Sequence, residues 1–408
     1  MKTGLCLHPS ARWHGRWWPA GASFAADFAH GRVQLAGRPV AGLQAIPGLS
    51  AAGGVNGLYG PAPRIGETGL LLEGERTNLL SQSEDLSHNA WQPVISGTGS
   101  PPSRTPGRPD PFGGARAYRL QADRGADATS ANSAQLYQSA AVSLPDPHDV
   151  SGAIWMKSNT AQVQNVYFSN LSNGTGATSV DVGPQWARYS FTALGVAGTS
   201  DGLRIGARGG LSADQAVDID VFGAQLELGA SASSYIATAG GAVTRTADSV
   251  TFTDLTALGL TGAAIDAGFT LVVGWRQDLA RPNAYLFQAD DGTGNERVAA
   301  LANGANATLL EARVVSGGVN TWSGGVSDGA AIGARRAAFR YAPSGAAISV
   351  AGVAPAKVAA TPMPASLNRL RLGRFQTPFA AASLADVLET FAILPVPVSD
   401  AELQMLSA

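Results

Sequence analysis

Chemistry in this chain is concentrated in its aromatic side chains, and the chemistry they suit is contact rather than catalysis. An indole offers a flat apolar face to the CH surface of a sugar, while neighbouring amides and hydroxyls satisfy the sugar's hydroxyl groups. Trp322 lies in SGGVNTWSGG, between glycines and an asparagine, and is expected in an exposed loop. Trp155, beside Met156 and Lys157 in the middle of an alternating run, is the second candidate for carbohydrate contact. Trp91 and Trp186 are expected in the core. Trp13, Trp17 and Trp18 cluster near the start and read three ways: packing under a loop, an anchor on a neighbouring surface, or a sugar platform.

Catalytic signatures are missing from the sequence. There is no G-x-S-x-G elbow, no H-E-x-x-H pair and no P-loop. The five histidines are scattered, with His8, His14 and His30 confined to the N-terminal region. Two carboxylates could meet in any fold to hydrolyse a glycosidic bond, but few acids fall inside the strand signals. The stretch ADDGTGNER (Ala289–Arg297) sets Asp290 and Asp291 before two glycines, which reads as a hairpin turn ahead of a cation loop.

The elements that must position these residues are strands. Charged residues make up 14% of the chain, against roughly 25% in an ordinary soluble protein. The 50 glycines among 408 residues supply the positive-φ turns that short strands need. Partial period-two alternation recurs in ARAYRLQAD (Ala115–Asp123), AQLYQSAAVSL (Ala134–Leu144), VSGAIWMKSN (Val150–Asn159), VQNVYFSNL (Val163–Leu171), WARYSFTAL (Trp186–Leu194), LRIGARGG (Leu203–Gly210) and VDIDVFGAQLELG (Val217–Gly229). A second series of strand signals runs from Ser249 to Leu394. Pro93 to Pro111 is expected as a breaker-rich loop, and Ala45–Gly66 as an irregular segment. One confident helix closes the chain, where Ser399 and Glu402 form a capping box.

Bulk properties bound the partners. A formal net charge of −2 provides no general field for nucleic acid. No apolar run reaches membrane-spanning length, and the start has no signal-peptide core, so synthesis in the cytoplasm without membrane insertion is expected. The single cysteine, Cys6, rules out an intramolecular disulfide framework.

Two segments bracket the first strand series: GLLLEGERTNLLSQSEDLSHNAW (Gly69–Trp91) and FGAQLELGASASSYIATAGGAVTRTADSV (Phe222–Val250). With their G-L-L-x-E-x-x-R-T-N-L-L, S-E-D-x-S and Q-L-E-x-G…S-Y-I-x-T…V-T-R-x-A-D words, they resemble the carbohydrate-binding-module-like jelly roll of tailed-phage spike, fibre and head-fibre proteins. The second series, with F-T-L-x-V-x-W, L-R-L-G and the terminal S-D-A-E-L-Q-x-L, is similar to concanavalin-A-like (laminin-G-like) domains. Its usual Tyr-x-Gly-Gly turn is replaced at Tyr341–Gly345, and the customary Asp before Gly is Ala351. The physics of Arg76, Thr77 and Asn78 reads as structural, because these groups satisfy backbone where a strand enters a sheet.

The resemblance implies an all-β protein of two tandem antiparallel sandwiches: an attachment region at residues 1–65, a jelly roll at 66–245 and a concanavalin-A-like sandwich at 246–408. It implies a non-enzymatic component of a phage or phage-like particle that contacts host-surface polysaccharide and is a homo-oligomer. Trp13, Trp17 and Trp18 would dock residues 1–65 on other virion subunits. It also implies a structural calcium held by Glu84, Asp85 and Glu227, since calcium takes hard oxygen ligands. The alternatives are a structural virion component without glycan affinity and a capsule depolymerase.

Overall fold

The computed structural model describes residues 18–41, 46–52, 64–66, 68–170, 178–277, 284–302, 306, 308–330, 332–359, 362–373 and 386–408. Nearly all the regular structure is antiparallel β-sheet, arranged in two sandwich-like units as the alternation demanded. One unit comprises Met1–Gly54, Tyr59–Glu75 and Thr246–Ala408, and the other comprises Val55–Leu58 and Arg76–Arg245.

The smaller unit has two five-stranded sheets. The first runs, in spatial order, Ala187–Val196, His148–Ser158, Ala216–Leu228, Ala117–Asp123 and Ser103–Arg108. The second runs Thr178–Val182, Gln164–Asn170, Gly202–Arg208, Ser133–Ser139 and Gln92–Ser96. Alternate residues of both meet in one core, with Ile154, Met156, Ile219 and Val221 from the first sheet and Leu136, Phe168, Leu203 and Ile205 from the second. Each of these is less than 1% exposed, so period-two patterning has sorted the strands into a dry and an outer face. A two-stranded pair closes the unit, Arg76–Asn78 against Val243–Arg245, with Arg76 opposite Arg245. Within the bracketing words, Arg76–Asn78 and Val243–Arg245 are thus the paired ends of one inserted sandwich, while Gly69–Leu72 pairs with Asp386–Leu394 in the larger unit.

The larger unit also has two layers. Its ten-stranded sheet includes Phe269–Gln277 and Asp386–Leu394 at the centre. Facing it is a seven-stranded sheet that includes Tyr285–Asp290, Arg297–Ala302 and Leu309–Ser316. Rings meet edge to face between the layers, Phe24 with Phe252 at 5.7 Å and Phe287 with Phe339 at 5.0 Å. The terminal helix, Asp400–Ser407, has the expected capping box and lays Leu403 and Leu406 on the outer side of the ten-stranded sheet. The hairpin at Asp290–Arg297 joins two paired strands, as its Asp-Gly turn predicts.

Three expectations need correction. The tandem order with a separate attachment region at 1–65 does not hold for the described residues. Phe24–Asp27 pairs with Asp386–Leu394, Leu49–Ala52 pairs with Ser249–Phe252, and Phe24, Phe28 and Val33 belong to the larger unit's core. The breaker-rich stretch after Pro93 holds two strands, Gln92–Ser96 and Ser103–Arg108. Both lie at sheet edges, where a proline's missing N–H breaks no ladder. The segment expected to be irregular, Ala45–Gly66, contributes two short strands, Leu49–Ala52 and Arg64–Gly66.

Candidate functional site

The bracketing words spend their polar groups on structure. Asn78 is fully buried, with its Nδ2 donating to the carbonyls of Ala224 and Ile236 at 3.1 and 2.7 Å. Its Oδ1 accepts from the amides of Leu80 and Leu226. Arg76 Nη1 donates to the Leu228 carbonyl at 2.6 Å, so it is held by the closing strand. Gln225 accepts from the Ile236 amide at 2.7 Å.

The three carboxylates of the implied calcium set are not gathered into one. Glu227, fully buried, accepts from both the amide and the hydroxyl of Ser233 at 2.6 Å. Glu84 is occupied by Arg116 at 3.2 Å and the Tyr235 hydroxyl at 3.1 Å. Asp85 accepts from Ser87 and the Tyr118 hydroxyl, and these bonds hold its carboxyl below the usual range. Oxygens already filled by protein donors do not fit a hard cation. Among the described residues no group of three or more His, Cys, Asp or Glu could hold a metal ion.

The candidate tryptophans are placed differently from expectation. Trp322 lies in the strand Val319–Ser327 rather than a loop, and packs half-buried against the larger unit's core with its indole close over Gly324. Trp18 is half-buried against the cluster under the terminal helix, while Trp13 and Trp17 fall outside the described residues. Trp91 is in the core as expected. Trp186 is half-buried with Lys157 at 5.5 Å over its ring.

Trp155 is on the outer face of the first five-stranded sheet, but its faces are taken. Arg188 sits 4.8 Å over the ring, and Phe112 and Tyr235 meet it edge-on, each at 5.3 Å. Gly223, at φ +67°, brings backbone so close that a Cβ there would stand 3.0 Å from the indole. Phe112, 44% exposed, is presented by a loop that Asp110 ties through the amides of Phe112 and Gly114. Burial alone would raise the Asp110 carboxyl, but those amides and Arg116 hold it low. Farther along the face, Asp218 is clamped by Arg119 and held below the ordinary carboxylate range. Buried Asp220 is paired with Arg108 at 3.1 Å and Lys157 at 3.3 Å. A cleft of about 470 Å³ beside Asp218 is lined by Ser103, Gln121, Asp123 and Gln164. On this face Arg108 and Arg119 are paired with carboxylates, while Arg188 donates to the Ser233 carbonyl and lies over the Trp155 ring.

The outer face of the second sheet differs in that respect. Strand register sets three rows across it. The middle row reads Ser179, Tyr167, Gly206, Gln135, Val94, flanked on one side by Ser169, Arg204, Tyr137, Gln92. On the other side lie Arg208 and Ser133, with Ser96 at the edge. Glycine at 206 leaves the middle of the row without a side chain, between an aromatic ring and an amide. Its φ of +149° and a 2.3 Å approach to the Ala134 carbonyl from any added Cβ exclude other residues. Tyr167 and Gln135 are each 1% exposed, and Arg208 lies 5.7 Å over the Tyr167 ring. Two polar atoms are enclosed there without a hydrogen-bond partner, Gln135 Oε1 and Arg204 Nε. Enclosed unpaired groups are uncommon in native proteins and mark places where a partner is missing.

An amide, hydroxyls and two guanidiniums on one sheet face can bind a polar ligand. Sequence reasoning missed these residues because each sits at an ordinary polar position of an alternating strand. The one available signal was Gly206 inside LRIGARGG, a mid-strand glycine that marks close backbone approach.

No family model and no curated protein sequence matches the chain. Among solved structures, a carbohydrate-binding module (CBM40) of a Ruminococcus gnavus sialidase, bound to α2,6-sialyllactose, is similar at 12% identity. The match has a TM-score of 0.31 and covers 36% of this chain and 86% of that one. The xylan-binding CBM22-1 domain from Paenibacillus barcinonensis Xyn10C matches at 13% identity and TM-score 0.26, over 39% and 98% of the two chains. The enzymatically active part of tailspike protein 4 from bacteriophage CBA120 matches at 15% identity and TM-score 0.25, over 37% and 21%. Likeness at this level identifies neither a family nor a ligand, so the functional reading rests on the geometry of the sheet faces.

Proposed function

We propose that the inserted sandwich binds host-surface polysaccharide on the outer face of its second sheet. The protein would then be a non-enzymatic spike, fibre or decoration component of a tailed-phage or phage-like particle. The observation that carries the glycan reading is the Tyr167–Gly206–Gln135 row with its enclosed, unspent polar atoms. A sugar's hydroxyls would fill the unspent valences of the Gln135 amide and the Arg204 guanidinium beside the gap left by Gly206. Particle placement rests on the bracketing words alone, and contacts with other virion subunits and a homo-oligomeric state belong to the same proposal.

Glycan arrays and host capsule preparations probed with the full chain test the reading. Binding is expected, weakened about tenfold, or roughly 1.4 kcal/mol, by Gln135→Ala or Tyr167→Ala. No binding to any glycan would overturn it. The recovered polysaccharide should keep its original size, and shortening would replace the adhesin reading with a depolymerase.

A further inference from the structure

Resting on that reading of the second sheet, we infer that its ligand is an acidic glycan whose carboxylates are taken by Arg204 and Arg208. Both guanidiniums rise from one strand, Gly202–Arg208, two turns of the pleat apart on either side of Gly206. Among the described residues the Arg208 guanidinium makes one hydrogen bond, a long 3.4 Å contact to the neutral Tyr167 hydroxyl. Arg204 has its Nε enclosed with no partner. The side chains opposite Arg204 in the ladders are Ser169 and Tyr137, and neither carries charge.

On the first sheet of the same unit Arg188 is held by the Ser233 carbonyl and the Trp155 ring, and three other arginines meet carboxylates. Arg119 is clamped to Asp218, Arg108 to Asp220 and Arg116 to Asp110. A half-buried cation without a counter-charge is costly to hold, and the cost is recovered when an anion arrives with the ligand. Arginine's planar fork matches a carboxylate in a bidentate pair, which lysine does not reproduce. The carboxylate at the rim of this face, Asp181, is already engaged by the Asn165 amide at 2.7 Å. A neutral glycan would fill Gln135 but leave both guanidiniums unanswered. The ligand class is therefore a polysaccharide bearing carboxylates.

Calorimetric titration of the full chain with polygalacturonate and with neutral dextran of matched length tests the inference. Tighter binding of polygalacturonate is expected, weakening as sodium chloride rises from about 50 to about 300 mM, because exposed charges are screened. Arg204→Gln should lower affinity for polygalacturonate at least about tenfold, and Arg204→Lys should restore only part of it. Unfolding curves matching the parent would show that both variants are folded. Equal binding of dextran and polygalacturonate, lost in Gln135→Ala and untouched in Arg204→Gln, would overturn the acidic-ligand inference while keeping the glycan reading. Failure to bind either of these, together with any array glycan, would overturn both.

Discussion

Asn78 and Leu226, 148 positions apart in the chain, are joined by a 3.1 Å hydrogen bond from the Leu226 amide to the Asn78 side-chain carbonyl. Asn78 Nδ2 in turn donates to the carbonyls of Ala224 and Ile236, so one side chain stitches the opening word of the inserted sandwich to its closing word. A motif that could pass for a ligand site is in this way a clasp.

Removing the clasp should be expensive. Asn78→Ala strands two backbone carbonyls and two amides in a dry setting, and each enclosed orphan costs about 1–3 kcal/mol. With partial relaxation we expect a loss of roughly 3 kcal/mol, read from chemical unfolding of the full chain. A loss below about 0.5 kcal/mol would show that the clasp is dispensable.

Deleting residues 1–65 should damage the larger unit rather than trim an appendage. The deletion removes the strands Phe24–Asp27, Arg32–Leu35 and Leu49–Ala52 together with the buried rings of Phe24 and Phe28. Losing one large core side chain alone costs about 3–5 kcal/mol. Aggregation, or loss of the cooperative transition, is expected in circular dichroism melts. A soluble fragment melting like the parent would contradict the woven arrangement.

Much of the fold was legible, and what escaped did so for physical reasons. Strands such as His148–Ser158 and Ala216–Leu228 are long enough for period two to emerge, and the Ser399–Glu402 box announced its helix. Phe24–Asp27 and Leu49–Ala52 have four residues each, too few to show a period, and their partners lie hundreds of positions away. An insertion is invisible to local patterning because long-range pairings, such as Phe24 with Ile393 and Ala51 with Val250, are what reveal it. At the site, residue type pointed to Trp155 and Trp322. What decides ligand access is which neighbours already occupy a side chain, and the sequence of one strand says nothing about the next. Gln135 and Arg204 look like any solvated strand residues until the register sets them beside Gly206.

Acid should loosen the inserted sandwich. Asp85 is held below its ordinary value by Ser87 and the Tyr118 hydroxyl, and Asp218 by Arg119. A carboxyl whose folded pKa is depressed stabilises the fold above its unfolded pKa, near 4, and that contribution fades as pH falls through the lower folded value. Urea midpoints should therefore be higher at pH 7 than at about pH 3. Replacing both residues by asparagine should shrink the difference, and an unchanged pH dependence would count against these two groups.

Gly223 should not tolerate a side chain. Alanine there meets positive φ and the ring of Trp155, and the combined strain should cost about 1–3 kcal/mol. A destabilised unit with weakened Trp155 packing is expected in near-ultraviolet circular dichroism and urea unfolding. Parent-like stability would mean that the indole has room to move.

The most direct measurement of the central claim compares two faces of one sandwich. Affinity for a glycan that the full chain binds would be measured for Gln135→Ala and Tyr167→Ala on the second sheet, and for Trp155→Ala on the first. About a tenfold loss is expected for the first two and near-parent affinity for the third. Loss of binding in Trp155→Ala alone would contradict it and move the site to the opposite face.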